Sequence, residues 1–212
     1  MVTATQLQQQ TIPSPPVRMT WDEFVAWLDE DIWAEWVDGE VIVHSPASTE
    51  HQRTSKFIEW MIGAYFSERP IGELFTPPYL MRLSSRPSGR EPDLLVVLNE
   101  HADRLTENYL DGPADLVIEI ASPATQDIDR GEKFSEYEAA GIPEYWLIDP
   151  MRKTAILYRR DADGYYQQVM PDAEGRLHSA VLPGLELEPA WLWQEGKPNY
   201  AQVLDLVREM LT

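Results

Sequence analysis

The stretch DLVIEIASPATQDIDRGEKFSEYEAAGIPEYWLIDP, residues 115–150, decides the fold. Its opening DLVIEIA is an apolar run that ends in SPATQDID, a loop of turn formers, so it reads as a buried strand. A helix is predicted from about Arg130 to Ala140. It stops at Gly141 with Pro143 just beyond, as helix C-termini tend to. EYWLID then supplies a second apolar strand. Strand, helix and strand with short connections make a βαβ unit, expected to have a right-handed crossover and its strands side by side. Side chains alternate across a sheet, so Leu116, Ile118 and Ile120 face one way while Val117, Glu119 and Ala121 face the other. Glu119 is then a carboxylate in the middle of an apolar strand, where it must be exposed, paired or functional.

Upstream, Thr20 and Glu23 in MTWDEFVAWL have the form of a capping box and predict a short helix to about Asp29. AEWVDGEVIVHSP alternates around Asp38-Gly39 and reads as a hairpin that carries Glu35 on a strand and His44 near its exit. From Thr49 to Glu68, Phe57, Ile58, Met61, Ile62, Tyr65 and Phe66 recur at three- and four-residue steps, the pattern of an amphipathic core helix. ELFTPPYLMRL reads as an edge strand broken by Pro77-Pro78. SSRPSGR reads as a polar loop, and EPDLLVVLNE as a buried strand with Asp93 at its entrance. Residues 101–114 read as a polar connection with one helical turn.

Downstream, TAILYRR and YYQQVM flank Asp163-Gly164 as a second hairpin, AEGRLHSAVLPGLEL suggests a further strand pair, and the segment from Trp191 onward a closing helix. Residues 1–17, rich in Gln, Thr and Pro, read as a flexible tail, and 18–212 as a single α/β domain.

The chain has 212 residues, no cysteine and a formal net charge of −19. Without thiols, a bound metal must use oxygen or imidazole ligands, which points to hard cations such as Mg²⁺ or Mn²⁺. No apolar run reaches the length of a membrane span and the N-terminus lacks a secretion signal, so a cytoplasmic location is expected. The charge argues against a nucleic-acid partner unless basic residues cluster or a metal offsets the carboxylates. Arg82, Arg86 and Arg90 form one such cluster.

Asp93 and Glu119, each on a strand among apolar residues, suit a divalent cation that keeps several waters. Such a cation polarises a phosphoryl oxygen and lowers the pKa of bound water. Lys133, one turn into the helix after Glu119 and four residues before Tyr137, is the candidate for stabilising transition-state charge. The competing reading is a surface lysine paired with Asp129 or Glu136. Asp93 could equally begin a strand by accepting a turn hydrogen bond. Glu35 suits a solvated strand face, and His51 a structural role or a neutral ligand or base. Tyr145, Trp146, Tyr158, Tyr165 and Tyr166 read as strand packing rather than a base-stacking platform.

AEWVDGEVIVHSPASTEHQ, EPDLLVV, the 115–150 stretch and YRRDADGYY, spread over residues 20–190, closely resemble the Uma family of endonucleases, within the PD-(D/E)XK nuclease superfamily. The resemblance implies a restriction-endonuclease-like core, a central mixed sheet flanked by helices with additional hairpins, acting on DNA with Mg²⁺ or Mn²⁺. It implies that Asp93 and Glu119 hold the metal and that Glu35 completes the shell. The superfamily's lysine two residues after the acid is here Ala121, and Lys133 occupies the matching place on the following helix. His51 matches a recurrent histidine. An RNA or nucleotide hydrolase on the same site, and a binding or assembly protein that keeps the fold without the activity, remain alternatives. A homodimer is compatible with the many strands and aromatics.

Overall fold

The computed structural model describes residues 18–28, 32–44, 47–122 and 129–212, so the tail at 1–17 and Asp29, to which the first helix was expected to run, lie outside it. Helix α1 (Trp21–Trp27) opens on the reciprocal cap: the Thr20 hydroxyl accepts from the Glu23 amide, and the Glu23 carboxylate accepts from the Thr20 amide. Strands β1 (Ala34–Val37) and β2 (Glu40–Val43) are joined by Asp38 and Gly39 at φ 50° and 91°. Both are left-handed, which a two-residue hairpin turn requires and an Asp-Gly pair tolerates. Helix α2 (Thr49–Glu68) is capped by the Ser48 side chain. There follow β3 (Gly72–Phe75), β4 (Leu80–Leu83), β5 (Ser88–Arg90), β6 (Leu94–Leu98), a 3₁₀ turn at Asn99–Arg104 and β7 (Tyr109–Asp111). The βαβ unit is β8 (Leu116–Ile120), α3 (Glu132–Ala140) and β9 (Glu144–Asp149). The chain closes with β10 (Thr154–Arg160), β11 (Tyr166–Val169), β12 (Leu177–His178), β13 (Glu186–Leu187), α4 (Pro189–Trp193) and α5 (Tyr200–Met210).

A mixed six-stranded sheet runs β11-β10-β9-β8-β6-β3, with β8 and β9 parallel and the other neighbours antiparallel. A five-stranded sheet runs β2-β1-β5-β4-β7, and β12 and β13 pair separately. The alternation along β8 sorts the core as its sequence requires. Leu116, Ile118 and Ile120 pack with Phe57, Ile58, Met61 and Ile62 of α2 and with Val203 and Val207 of α5. Val117 and Ala121 pack with Leu95, Val97 and Leu147 and with Met81 and Leu83 of the five-stranded sheet. Glu119, on this second side, therefore points between the two sheets. Helix α1 covers the five-stranded sheet with Trp21 and Phe24 against Ala34, Trp36 and Leu80.

Three expectations need correction. The polar connection expected over 101–114 also contains β7, which pairs with β4 and buries Leu110. ELFTPPYLMRL is two strands in different sheets: β3 is an edge of the larger one, whereas β4 lies inside the smaller one between β5 and β7. SSRPSGR is not a polar loop throughout, because Ser88, Gly89 and Arg90 form β5 and all three are buried. The polar side chains there are satisfied by buried partners instead of water, which hydropathy does not reveal. The aromatic strings pack as strands do, with Tyr145, Tyr158 and Tyr166 around Phe134; Tyr165 is exposed. Among the described residues no helix is long and apolar enough to cross a membrane.

Gly89 tests the packing of the small sheet. A Cβ there would lie 2.3 Å from Cζ3 of Trp21, a ring fixed by Trp36 and Tyr109. Gly89→Ala should destabilise the protein by about 1–3 kcal/mol. Gly63→Ala, mid-helix in α2 with nothing within 4 Å of the new methyl, should stabilise it by about 0.5–1 kcal/mol. Thermal denaturation of the two variants checks both signs.

Candidate active site

The residues singled out in the sequence meet where the two sheets face each other across α3. Asp93 immediately precedes β6, whose Leu94 pairs with Ile118 of β8. Its Oδ2 accepts from the Ile120 amide at 2.7 Å and its Oδ1 lies 2.9 Å from His51 Nε2. The register thus sets Asp93 beside Glu119. Lys133, the second residue of α3, places Nζ 2.9 Å from Glu119 Oε1, 3.0 Å from Glu35 Oε1 and 3.7 Å from Asp129 Oδ1. Tyr137, four residues on, donates its hydroxyl to Glu119 Oε1 at 2.7 Å. Lys133 is only 4% exposed and Glu35 1%. The surface-lysine reading and the solvated-face reading of Glu35 are both overturned. Asp129 does stand at i−4 from the lysine, but as a buried part of the same group.

Arg90 and Glu136 complete the cluster. The Arg90 guanidinium donates from Nη1 to Glu35 Oε2 at 3.0 Å, and from Nε and Nη2 to Glu136 Oε2 at 2.9 and 2.7 Å. Ser88 donates its hydroxyl to the other Glu136 oxygen, so Glu136 belongs to Arg90 and not to Lys133. The basic cluster expected from Arg82, Arg86 and Arg90 is fully engaged: Arg90 here, Arg86 with Asp38 and Glu132, and Arg82 with Asp111.

Residues 21–190 match the profile of the Uma2 family, described as "Putative restriction endonuclease". The chain belongs to this family. Its fold is similar to that of a crystal structure from Anabaena variabilis described as "a putative nuclease belonging to DUF820", with a TM-score of 0.68 and 20% identity over 82% of this chain and 97% of that one. No curated protein matches the sequence.

In this Uma2-family chain, burial and charge act against each other at Glu35, Lys133 and His51. Burial raises the Glu35 carboxyl, but Lys133, Arg90 and His44 together outweigh it and hold it at about 2. Glu119 is pushed up to about 8 by burial; Lys133 opposes that rise, while Asp129, Asp93 and Glu35 add to it. Burial disfavours the Lys133 ammonium, yet Glu119, Glu35 and Asp129 overcome this and raise its pKa, so it stays charged. Burial, then the charge of Glu119, keeps Tyr137 protonated. For His51, the hydrogen bond and charge of Asp93 overcome burial and raise its pKa.

Among the described residues no three His, Asp or Glu side chains form a ready-made metal cage. The donor set nevertheless fits a hard cation of the kind that takes one or two carboxylates and retains its waters. Asp93 and Glu119 lie side by side on neighbouring strands, and Glu119 is crowded by three other carboxylates. Sequence reasoning missed the parts played by Arg90 and Glu136 and left His51 between a structural role and that of a neutral ligand or base. Its only available signal was the charged pair Arg90-Glu91 directly abutting the apolar strand that Asp93 opens.

Removing Arg90 would leave two buried carboxylates short of a cation, so Arg90→Leu should cost about 3–5 kcal/mol in urea unfolding. Arg82→Ala, at an exposed pair, should cost about 1 kcal/mol or less. Because Glu35 titrates at about 2 folded against an ordinary 4.5, its contribution is present above pH 4.5 and is lost as pH falls toward 2. In chelator, the urea midpoint of the parent should fall more steeply than that of Glu35→Gln between pH 5.5 and 3.5.

Proposed function

We propose that this protein hydrolyses phosphodiester bonds in DNA with a divalent cation, Mg²⁺ or Mn²⁺, held by Asp93 and Glu119. The observation that carries this reading is the buried Lys133 ammonium 2.9 Å from Glu119, on a strand whose Ile120 amide bonds Asp93. When bound, such a cation supplies a Lewis acid for the phosphoryl group and acidifies a water for attack. The chain's own residues set the geometry. His51 and the Ile120 amide hold the two oxygens of Asp93, and Tyr137 with Lys133 holds Glu119 Oε1. Glu35, with one oxygen on Lys133 and the other on Arg90, positions the lysine at the edge of the proposed metal shell.

Because its neighbours raise its pKa, Lys133 acts as a hydrogen-bond donor and positive charge toward the attacking water or the phosphate oxygens, not as a base. A cavity of about 310 Å³ lined by His51, Asp93, Trp33, Ser55 and Thr76 opens the Asp93 side to substrate.

A binding or assembly role on the same fold is the second reading. It is favoured by the net charge of −19 and by the engagement of Arg82, Arg86 and Arg90 with carboxylates. Supercoiled and linear DNA, with RNA in parallel, incubated with Mg²⁺, Mn²⁺ or chelator separates the two. Metal-dependent DNA cleavage should be lost in Glu119→Gln and reduced at least about a hundredfold in Lys133→Met. Absence of cleavage by the parent under every condition would sink the hydrolytic reading, and cleavage confined to RNA would change the substrate class.

A further inference from the structure

Arg82, Arg86 and Arg90 are engaged by carboxylates, but the fold assembles a second cluster of cations that is distant in sequence. Asp149 is the last residue of β9, and its side chain is only 3% exposed. Its Oδ2 takes Nη1 of Arg152 at 2.9 Å and Nη2 of Arg130 at 3.2 Å, and its Oδ1 accepts the Arg152 amide at 2.9 Å. Both guanidiniums reach solvent, Arg152 being 54% and Arg130 37% exposed. Lys153, next in the turn that leads back to β10, is exposed too and has no ion pair among the described residues.

Charge balance sets this cluster apart. Arg86 faces two carboxylates, and Arg90 faces three once Glu132 at 3.8 Å is included. At Asp149 the ratio is reversed, with two guanidiniums on one carboxylate. Burial works against that carboxylate, but hydrogen bonds from Arg152 and Arg130 outweigh it and hold its pKa below the usual value. Arg152 alone already gives Asp149 an ion pair and a backbone donor, so the second guanidinium leaves positive charge over. Arg130 commits only one of its five donors to Asp149.

The cluster also stands beside the candidate active site. Strands β8 and β9 are parallel with Glu119 opposite Leu147, so Asp149, two residues on, shares the sheet face of Glu119. Strand spacing and rise put the Cα atoms of Asp149 and Glu119 about 8 Å apart. Arg130 directly follows Asp129, whose carboxylate lies 3.7 Å from Lys133 Nζ. The carboxyl ends of parallel strands are where α/β sheets bind their ligands. Forked guanidiniums match the oxygens of a phosphate bidentately. A small anion would need an enclosed cradle, whereas exposed forks carried on two separate elements suit an extended polyanion.

We propose that Arg130, Arg152 and Lys153 clamp the backbone of the DNA substrate, gripping phosphates next to the scissile one, with Asp149 aiming both guanidiniums. The clamp rests on the hydrolytic reading for its purpose and deepens it, because it gives the substrate a basic footing on a chain of net charge −19. Each nucleotide advances about 3.4 Å along a duplex, so phosphates one or two steps from the site fall within reach of these long side chains. The three are binding residues and none touches the reacting phosphorus.

The test is fluorescence anisotropy of a short labelled DNA duplex with the full chain in chelator, over a salt series starting at about 50 mM. The parent should bind with an affinity that falls as salt rises. Arg130→Gln/Lys153→Asn removes two cations but leaves Arg152 on Asp149, and Asn tolerates the left-handed position at φ 52°. It should melt close to the parent, bind at least about tenfold more weakly, and show a salt slope shallower by about 1.8, the share of two phosphates. Arg176→Gln/Arg208→Gln strips two comparably exposed arginines from the side of the large sheet opposite Glu119, and should bind as the parent does. Glu119→Gln should also keep both affinity and slope. This pattern without cleavage in any metal would uphold the clamp while the hydrolytic reading fails. Cleavage by the parent together with equal binding by Arg130→Gln/Lys153→Asn would overturn the clamp alone. No binding by the parent, or an equal loss in Arg176→Gln/Arg208→Gln, would overturn it as well.

Discussion

The structure depends on one buried chain of alternating charges. Glu119 of the large sheet, Lys133 of α3, Glu35 and Arg90 of the small sheet and Glu136 of α3 again are linked by contacts of 2.7 to 3.0 Å. Each link crosses from one element to another, so the chain of ions fixes where the small sheet stands over the large one and how α3 lies between them. Hydrophobic packing around Val117, Leu95, Val97 and Met81 supplies most of the cohesion there, but it is non-directional and would accept other registers. The ion network would not.

Such a network is a poor route to stability. Desolvating two cations and three carboxylates consumes most of the Coulombic gain, and well-packed apolar residues of the same size commonly do as well or better. Under the proposed function its value lies in pre-organisation. The groups around Asp93 and Glu119 hold one another: Asp93 is held by His51 and the Ile120 amide, Glu119 by Tyr137 and Lys133, Lys133 by Glu35, and Glu35 by Arg90. A site built this way reorganises little when substrate charge develops, which is the condition for electrostatic catalysis. The crowding that raises Glu119 is also what a divalent cation would relieve.

Much of this was legible in the residues, and the reasons are specific. Leu116, Ile118 and Ile120 alternate with Val117 and Glu119, so the strand, its two faces and the odd carboxylate follow from a period of two. Gly141 and Pro143 end α3, Asp38-Gly39 turns the first hairpin, and Thr20 with Glu23 caps α1, because these local signals need no tertiary knowledge. The resemblance carried Glu35 and Lys133 into the site where residue types alone favoured the surface. What stayed hidden was β5. Ser88, Gly89 and Arg90 look like a solvated loop because polar residues are usually exposed, and only the fold reveals that Glu35 and Glu136 surround the guanidinium. Long-range satisfaction of buried polar groups leaves little trace in local pattern.

The central claim is the proposed one, that Asp93 and Glu119 hold a hard cation beside Lys133. Calorimetric titration of Mn²⁺ into the parent and into the double variant Glu119→Gln/Lys133→Met tests it most directly, with the melting temperature of each measured alongside. The account predicts saturable Mn²⁺ binding by the parent and no binding by the double variant at temperatures where it is folded. No binding by the parent, or equal binding by a folded double variant, would contradict it.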